Sequence, residues 1–144
     1  MANVLVVGFD PSSAGERAVD FAVNLAKLSG SSVLIVHVLE WSPYSFLTPE
    51  EIEERHARRK EELSRAKTSI IDPLIKSLGS SGVKIDTTIR YGHVAETLSA
   101  IAEEAGASQI IIGRTGEPGI ASRLFGSVAG ALAQSSPVPC TIVP

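Results

Sequence analysis

Only one cysteine, Cys140, stands among the 144 residues, so no disulfide can close within the chain. That agrees with a reducing compartment. The three histidines, His37, His56 and His93, are far apart, and none pairs with a cysteine or another histidine at metal-ligand spacing. A basic excess is also missing. Thirteen lysines and arginines stand against 16 acidic residues, a net charge of −3, which argues against a general nucleic-acid binder. No apolar run approaches the ~20 residues that cross a bilayer, so membrane insertion is not expected. The opening MANVLVVGFD has no basic segment ahead of a strand-length apolar run, which predicts no signal peptide and a cytoplasmic location. Two nucleotide motifs are absent. There is no G-x-x-x-x-G-K-[S/T] phosphate loop, and Gly8-Phe9-Asp10-Pro11 stands where a dinucleotide domain has G-x-G-x-x-G. Nor does Ser12-Ser13-Ala14-Gly15 supply the S-G-G-x-D-S loop of adenylating enzymes.

What is present is an alternation of periods. Residues 3–9 (NVLVVGF) and 33–39 (VLIVHVL) are apolar, β-branched runs that read as strands covered on both faces. Between them Ala14, Ala18, Phe21, Ala22, Leu25 and Ala26 recur at helical spacing over 13–29, with Gly30 as the C-cap. After a loop at 40–48, Thr48-Pro49-Glu50-Glu51 carries a capping box with proline at the first helical position. The helix it opens is expected to reach about Leu78, bent at Pro73. Its charged first half, from Glu50 to Lys67, reads as a solvated face. Val83, Ile85, Thr87 and Ile89 alternate over 83–89, the pattern of a half-exposed edge strand. A helix follows over 93–105, then a strand at 109–112, a glycine-rich loop, a small helix at 127–134 and a closing strand CTIV. Strands alternating with helices imply a parallel sheet with right-handed crossovers and helices on both faces, built as one domain over 1–144.

The glycine-rich stretch carries the most information. It runs Gly113-Arg114-Thr115-Gly116-Glu117-Pro118-Gly119 and on to Gly126-Ser127-Val128, leaving the carboxyl end of a strand and entering a helix. Glycine lets a backbone approach a ligand closely. A helix start near Gly126-Ser127-Val128 offers free N–H groups and a positive dipole end suited to phosphate. From spacing alone, two readings stay open: a phosphate cradle, or a connection that merely turns and caps a helix.

The spacing Gly113-x2-Gly116-x9-Gly126-Ser127 resembles the G-x2-G-x9-G-[S/T] signature of the universal stress proteins. The resemblance extends over the whole chain, from the first strand ending at Asp10 to Pro137-Val138-Pro139. It implies a Rossmann-like α/β domain with an open five-stranded parallel sheet in the order 3-2-1-4-5. It also implies a regulatory protein of stress response or signalling that binds ATP or a related adenine nucleotide, with or without magnesium or manganese. In the resembling family, homodimers form through the last strand. Carried over by position, Asp10 would sit by the adenosine and Val38 would line the adenine slot through its main chain. Ile112 and Gly113 would lie under the ribose, Gly116 would pass close to the phosphates, and Gly126, Ser127 and Val128 would cradle them. Glu117, after the second glycine, departs from the family pattern. Its carboxylate opposes a triphosphate, and Arg114 and Arg123 are the nearby cations that offset it.

The remaining residues have plainer readings. Asp10 can contact a ligand, cap the helix at 13–29, or do both. His37 reads as a satisfied core residue, His93 as a surface or capping residue, and Cys140 as buried and inert. Trp41, Tyr44 and Phe46 pack the loop or form an interaction patch. No triad, activated nucleophile or poised general base is visible, so no catalytic residue is assigned. The alternatives to nucleotide-dependent regulation are a nucleotide-free dimeric module, which Glu117 favours, and a weak ATPase.

Overall fold

The computed structural model describes residues 3–40, 48–79, 81–114 and 121–144, with 121–127 described by backbone alone. The β-branched runs form strands β1 (Val4–Gly8), β2 (Ser32–Glu40), β3 (Ile85–Gly92), β4 (Gln109–Gly113) and β5 (Cys140–Val143). They make one parallel sheet, as the alternation of strands and helices implies, in the order β3-β2-β1-β4-β5 that the family resemblance implies. The helices are α1 (Ser13–Ser29), α2 (Pro49–Ala66), α3 (Asp72–Leu78), α4 (Val94–Ala105) and α5 (Ala121–Ser135). Two compact units divide the chain: Met1–Glu40 with Ser80–Pro144, which holds the sheet, and Trp41–Gly79, which is helical.

Alternation along each strand sends its side chains to two cores. Val6, Val36, Ile110 and Ile112 pack with Leu98, Ile101 and Ala102 of α4 and Leu132 of α5. Their neighbours Leu5, Val7, Ile35 and Ile111 are fully buried on the opposite side. α1 lies against β1, β2, β4 and β5 and buries Ala14, Ala18, Val19, Ala22, Val23 and Ala26. Its alanines let the helix approach the strands closely. Phe21, expected on that face, is exposed. One residue turns an α-helix by about 100°, so with Ala22 at the centre of the buried stripe Phe21 falls outside it. Gly30 ends α1 at φ 69°, a left-handed conformation that a glycine adopts without strain.

The 41–79 unit opens as its capping box predicts. The Thr48 side chain accepts the Glu51 N–H at 3.2 Å, with Pro49 in the first turn. The expected bend at Pro73 is met by a change of ladder. A π-helical turn at Lys67–Ile71 joins α2 to α3 directly ahead of Pro73, whose missing N–H interrupts the ladder there.

Two element boundaries differ from the sequence reading. β3 runs over Ile85–Gly92 and not 83–89, and within it Thr87 is exposed instead of sharing cover with Ile85 and Ile89. The last helix starts at Ala121, not at residue 127. A single glycine inside a helix costs only about 1 kcal/mol relative to alanine, so Gly126 does not break it.

Candidate functional site

The sheet order puts the carboxyl ends of β1 and β4 side by side, with Gly8 paired to Ile112. From β1 the chain crosses to β2 on one side, while β4 lies on the other. This is the switch point at which open α/β sheets hold ligands. Asp10 follows β1 and is exposed there. It does not cap α1; Ser12 does. The Ser12 Oγ accepts the Gly15 N–H at 3.1 Å and donates its own proton to Asp10 Oδ1. The carboxylate is thus tied to the first turn of α1 through one hydroxyl, which orients it. Sequence reasoning did not single out Ser12. The signal that would have found it is a serine directly ahead of the helical period.

Glycines make the closeness of these elements possible. A Cβ on Gly113 would lie 2.7 Å from the Ala14 carbonyl oxygen and 2.8 Å from its carbon, both backbone atoms of the first turn of α1. A Cβ on Gly15 would overlap the Asp10 carbonyl oxygen. Gly113 therefore has a packing reason to be glycine, independent of any ligand. Arg114 leaves β4 with its N–H bonded to the Val143 carbonyl at 2.6 Å and its side chain exposed.

The end of β2 has an unusual ladder. The Ser32 N–H reaches the Asn3 carbonyl, and the Phe9 N–H reaches the Val36 carbonyl at 2.8 Å. Continuing that parallel register, the next bond would run from the Val38 N–H to the Phe9 carbonyl. That carbonyl instead meets the buried His37 side chain, Nδ1 to oxygen, at 2.9 Å. A carbonyl only accepts, so Nδ1 carries the proton. The following donor to the Val38 carbonyl would be residue 11, a proline, which has no N–H. Among the described residues, the half-buried Val38 has no β1 partner for its N–H or its C=O. Its peptide edge lies one strand from Asp10.

Of the residues singled out in the sequence, Asp10, Val38, Ile112 and Gly113 stand at the carboxyl ends of three adjacent strands, β2, β1 and β4. Ile112 is buried in the core with its side chain, so only its backbone faces the crevice. Gly126, Ser127 and Val128 lie inside α5, beyond its first turn, and the Val128 side chain packs on the core. The free N–H groups of that helix belong to its first turn, from Ala121. Gly116, Glu117, Trp41, Tyr44 and Phe46 lie outside the described residues, as does the Arg123 side chain. His93 is exposed at the start of α4 and caps nothing with its side chain. Cys140 is half-buried rather than buried. Among the described residues, no three His, Cys, Asp or Glu side chains gather as a metal site, and no helix is long and apolar enough to cross a membrane.

A five-stranded 3-2-1-4-5 sheet with glycine-shaped packing at its switch point defines a class of open α/β domain that takes ligands at its strand ends. The chain belongs to the universal stress protein family, whose profile matches residues 1–144. It is 28% identical to the universal stress protein YxiE of Bacillus subtilis, over 99% of both chains. It is 30% identical to the universal stress protein MJ0531 of Methanocaldococcus jannaschii, over 96% of this chain and 80% of that one. Among solved structures, the universal stress protein UspA of Lactobacillus plantarum superposes with a TM-score of 0.80 at 22% identity, covering 99% of this chain and 97% of that one. A universal stress protein of Archaeoglobus fulgidus in complex with dAMP gives 0.61 at 25% identity, covering 100% and 98%. A family member from Arabidopsis thaliana with AMP bound gives 0.61 at 14% identity, covering 98% and 90%.

Proposed function

We propose that this chain, as one universal stress protein domain over 1–144, is a cytoplasmic regulatory protein of stress response or signalling that binds ATP or a related adenine nucleotide. The observation that carries the reading is the Val38 peptide edge, which has no β1 partner among the described residues and lies one strand from Asp10 at the switch point. An N–H donor next to a C=O acceptor matches the N1 acceptor and N6 donor of adenine. Asp10, held by Ser12, reaches a ribose hydroxyl, and Ile112 and Gly113 form the floor. The dAMP and AMP bound by the Archaeoglobus and Arabidopsis proteins support this ligand class. The phosphates run toward Gly116 and the start of α5. For Gly126, Ser127 and Val128 to cradle them, the turn from Ala121 to Phe125 must open, with Gly126 as the point of least resistance. Magnesium or manganese would accompany a triphosphate and ease its repulsion from Glu117.

Nucleotide binding is read as biasing association. The β5 edge carries no charged residue and leaves Ile142 45% exposed, whereas the β3 edge carries Asp86 and Arg90. Uncharged edges pair and charged edges resist pairing, so the homodimer forms through β5. Native mass spectrometry of the freshly purified protein tests the proposal. An adenine nucleotide retained on a dimer is the expected result. A ligand-free dimer that takes up no added adenine nucleotide would favour the nucleotide-free module.

A further inference from the structure

His37 is one of only two buried polar or charged residues among the described residues, at 7% exposure, and it sits on an inner strand three positions from the strand's exposed end at Glu40. A packing role alone would be served by valine or isoleucine, as at Val33, Ile35 and Val36 of the same strand. What sets the imidazole apart is the bond it makes. Nδ1–H occupies the Phe9 carbonyl, the acceptor that the parallel ladder would otherwise give to the Val38 N–H.

We propose that His37 is a positioning residue: by taking the Phe9 carbonyl, its side chain keeps the Val38 peptide edge open for the base of the ligand. The inference rests on the nucleotide reading for its ligand, but not for its structural core. Two elements hold the arrangement. Phe9 is kept against β2 by its own N–H bond to the Val36 carbonyl, and the imidazole takes its carbonyl. Pro11 withholds the donor that would close the Val38 carbonyl. With His37 replaced by an apolar side chain, the Phe9 carbonyl has lost its partner. A buried carbonyl without a donor is costly, so the strands draw together and the Val38 N–H closes onto it. The base then has to break a backbone bond to bind.

The test uses the full chain, with His37→Leu and His37→Asn, the latter returning an N–H donor near the Nδ1 position. Amide hydrogen exchange by NMR in the absence of nucleotide reads the Val38 N–H directly. It is expected to exchange rapidly in the wild type, to be protected in His37→Leu and to be rapid again in His37→Asn. Calorimetry with AMP is expected to show a loss of about three- to tenfold in His37→Leu, largely restored in His37→Asn. Ribose 5-phosphate, which lacks the base, should bind all three equally. A protected Val38 amide in the ligand-free wild type overturns the inference, as does AMP affinity in His37→Leu equal to wild type. If the wild type binds no AMP, the nucleotide reading fails, and the exchange pattern alone still decides the role of His37.

Discussion

Replacing Gly113 with alanine separates packing from ligand approach at the heart of the site. Gly113 does not adopt a positive φ, so backbone strain is not the issue; space is. The new methyl would sit 2.7 Å from the Ala14 oxygen and 3.0 Å from the Ala14 Cβ. Because the nearest atoms belong to backbone, relief requires the first turn of α1 to move away from β4. Overpacking of this kind costs about 1–3 kcal/mol. For a domain of this size each kcal/mol moves Tm by roughly 2–4 °C, so Gly113→Ala should melt about 3–10 °C below wild type. Gly130, in α5 with open space where a Cβ would go, is the control. Alanine there should stabilise by about 0.5–1 kcal/mol, through backbone entropy and nothing else. Differential scanning calorimetry of the two variants reads both effects. If Gly113→Ala melts with the wild type, α1 does not approach β4 as closely as described, and the glycine exists for the ligand alone.

Three further perturbations have definite outcomes. Ser127→Ala lies inside α5 rather than at its cap, so Tm should hold or rise slightly, while a lost hydrogen bond to a charged phosphate should weaken AMP binding by about ten- to a hundredfold in calorimetry; a lowered Tm with unchanged affinity would make Ser127 a cap. Arg90 grips Glu104 through two hydrogen bonds, at 2.8 and 3.2 Å, and the hydrogen bond first, then the charge, holds the Glu104 carboxyl below the usual carboxylate range. That carboxyl is charged more readily folded than unfolded, so its contribution is present above the ordinary glutamate range and lost as pH falls below it. Both groups are exposed, so the effect should be small and salt-sensitive, and Glu104→Gln should flatten the acid limb of the Tm-versus-pH curve slightly at low salt. Ile142→Lys should shift the light-scattering mass from dimer toward monomer with little change in far-UV circular dichroism; a wild type that is monomeric at tens of micromolar would remove β5 as an interface.

The scaffold was legible because its signals are local. Two β-branched runs, an alanine stripe closed by Gly30 and the capping box at Thr48 each depend on a few neighbouring residues. The site was legible in part, because Asp10 and Gly113 end their strands and a switch point needs only strand order. What stayed hidden depends on contacts distant in sequence. The helix α1 cap belongs to Ser12 because of how the chain turns after β1, and Gly113 is tight because Ala14 comes down upon it. The His37 bond to Phe9 spans 28 residues and appears only once the β1–β2 register is known. The start of α5 was misplaced because a glycine-serine pair ahead of an alanine-rich run reads the same at a helix start as inside a helix.

The central claim is that the strand ends of this fold take an adenine nucleotide, and isothermal titration calorimetry with ATP, AMP and GTP tests it most directly. With a divalent metal present, ATP is expected to bind in the micromolar range or weaker, about −8 kcal/mol at 1 μM. AMP should retain the base-dependent part of that affinity, and GTP should bind least, since guanine presents its donor and acceptor in reverse order to the Val38 edge. Absence of heat and of any thermal shift with adenine nucleotides at millimolar concentration would contradict the account and leave the fold as a nucleotide-free module.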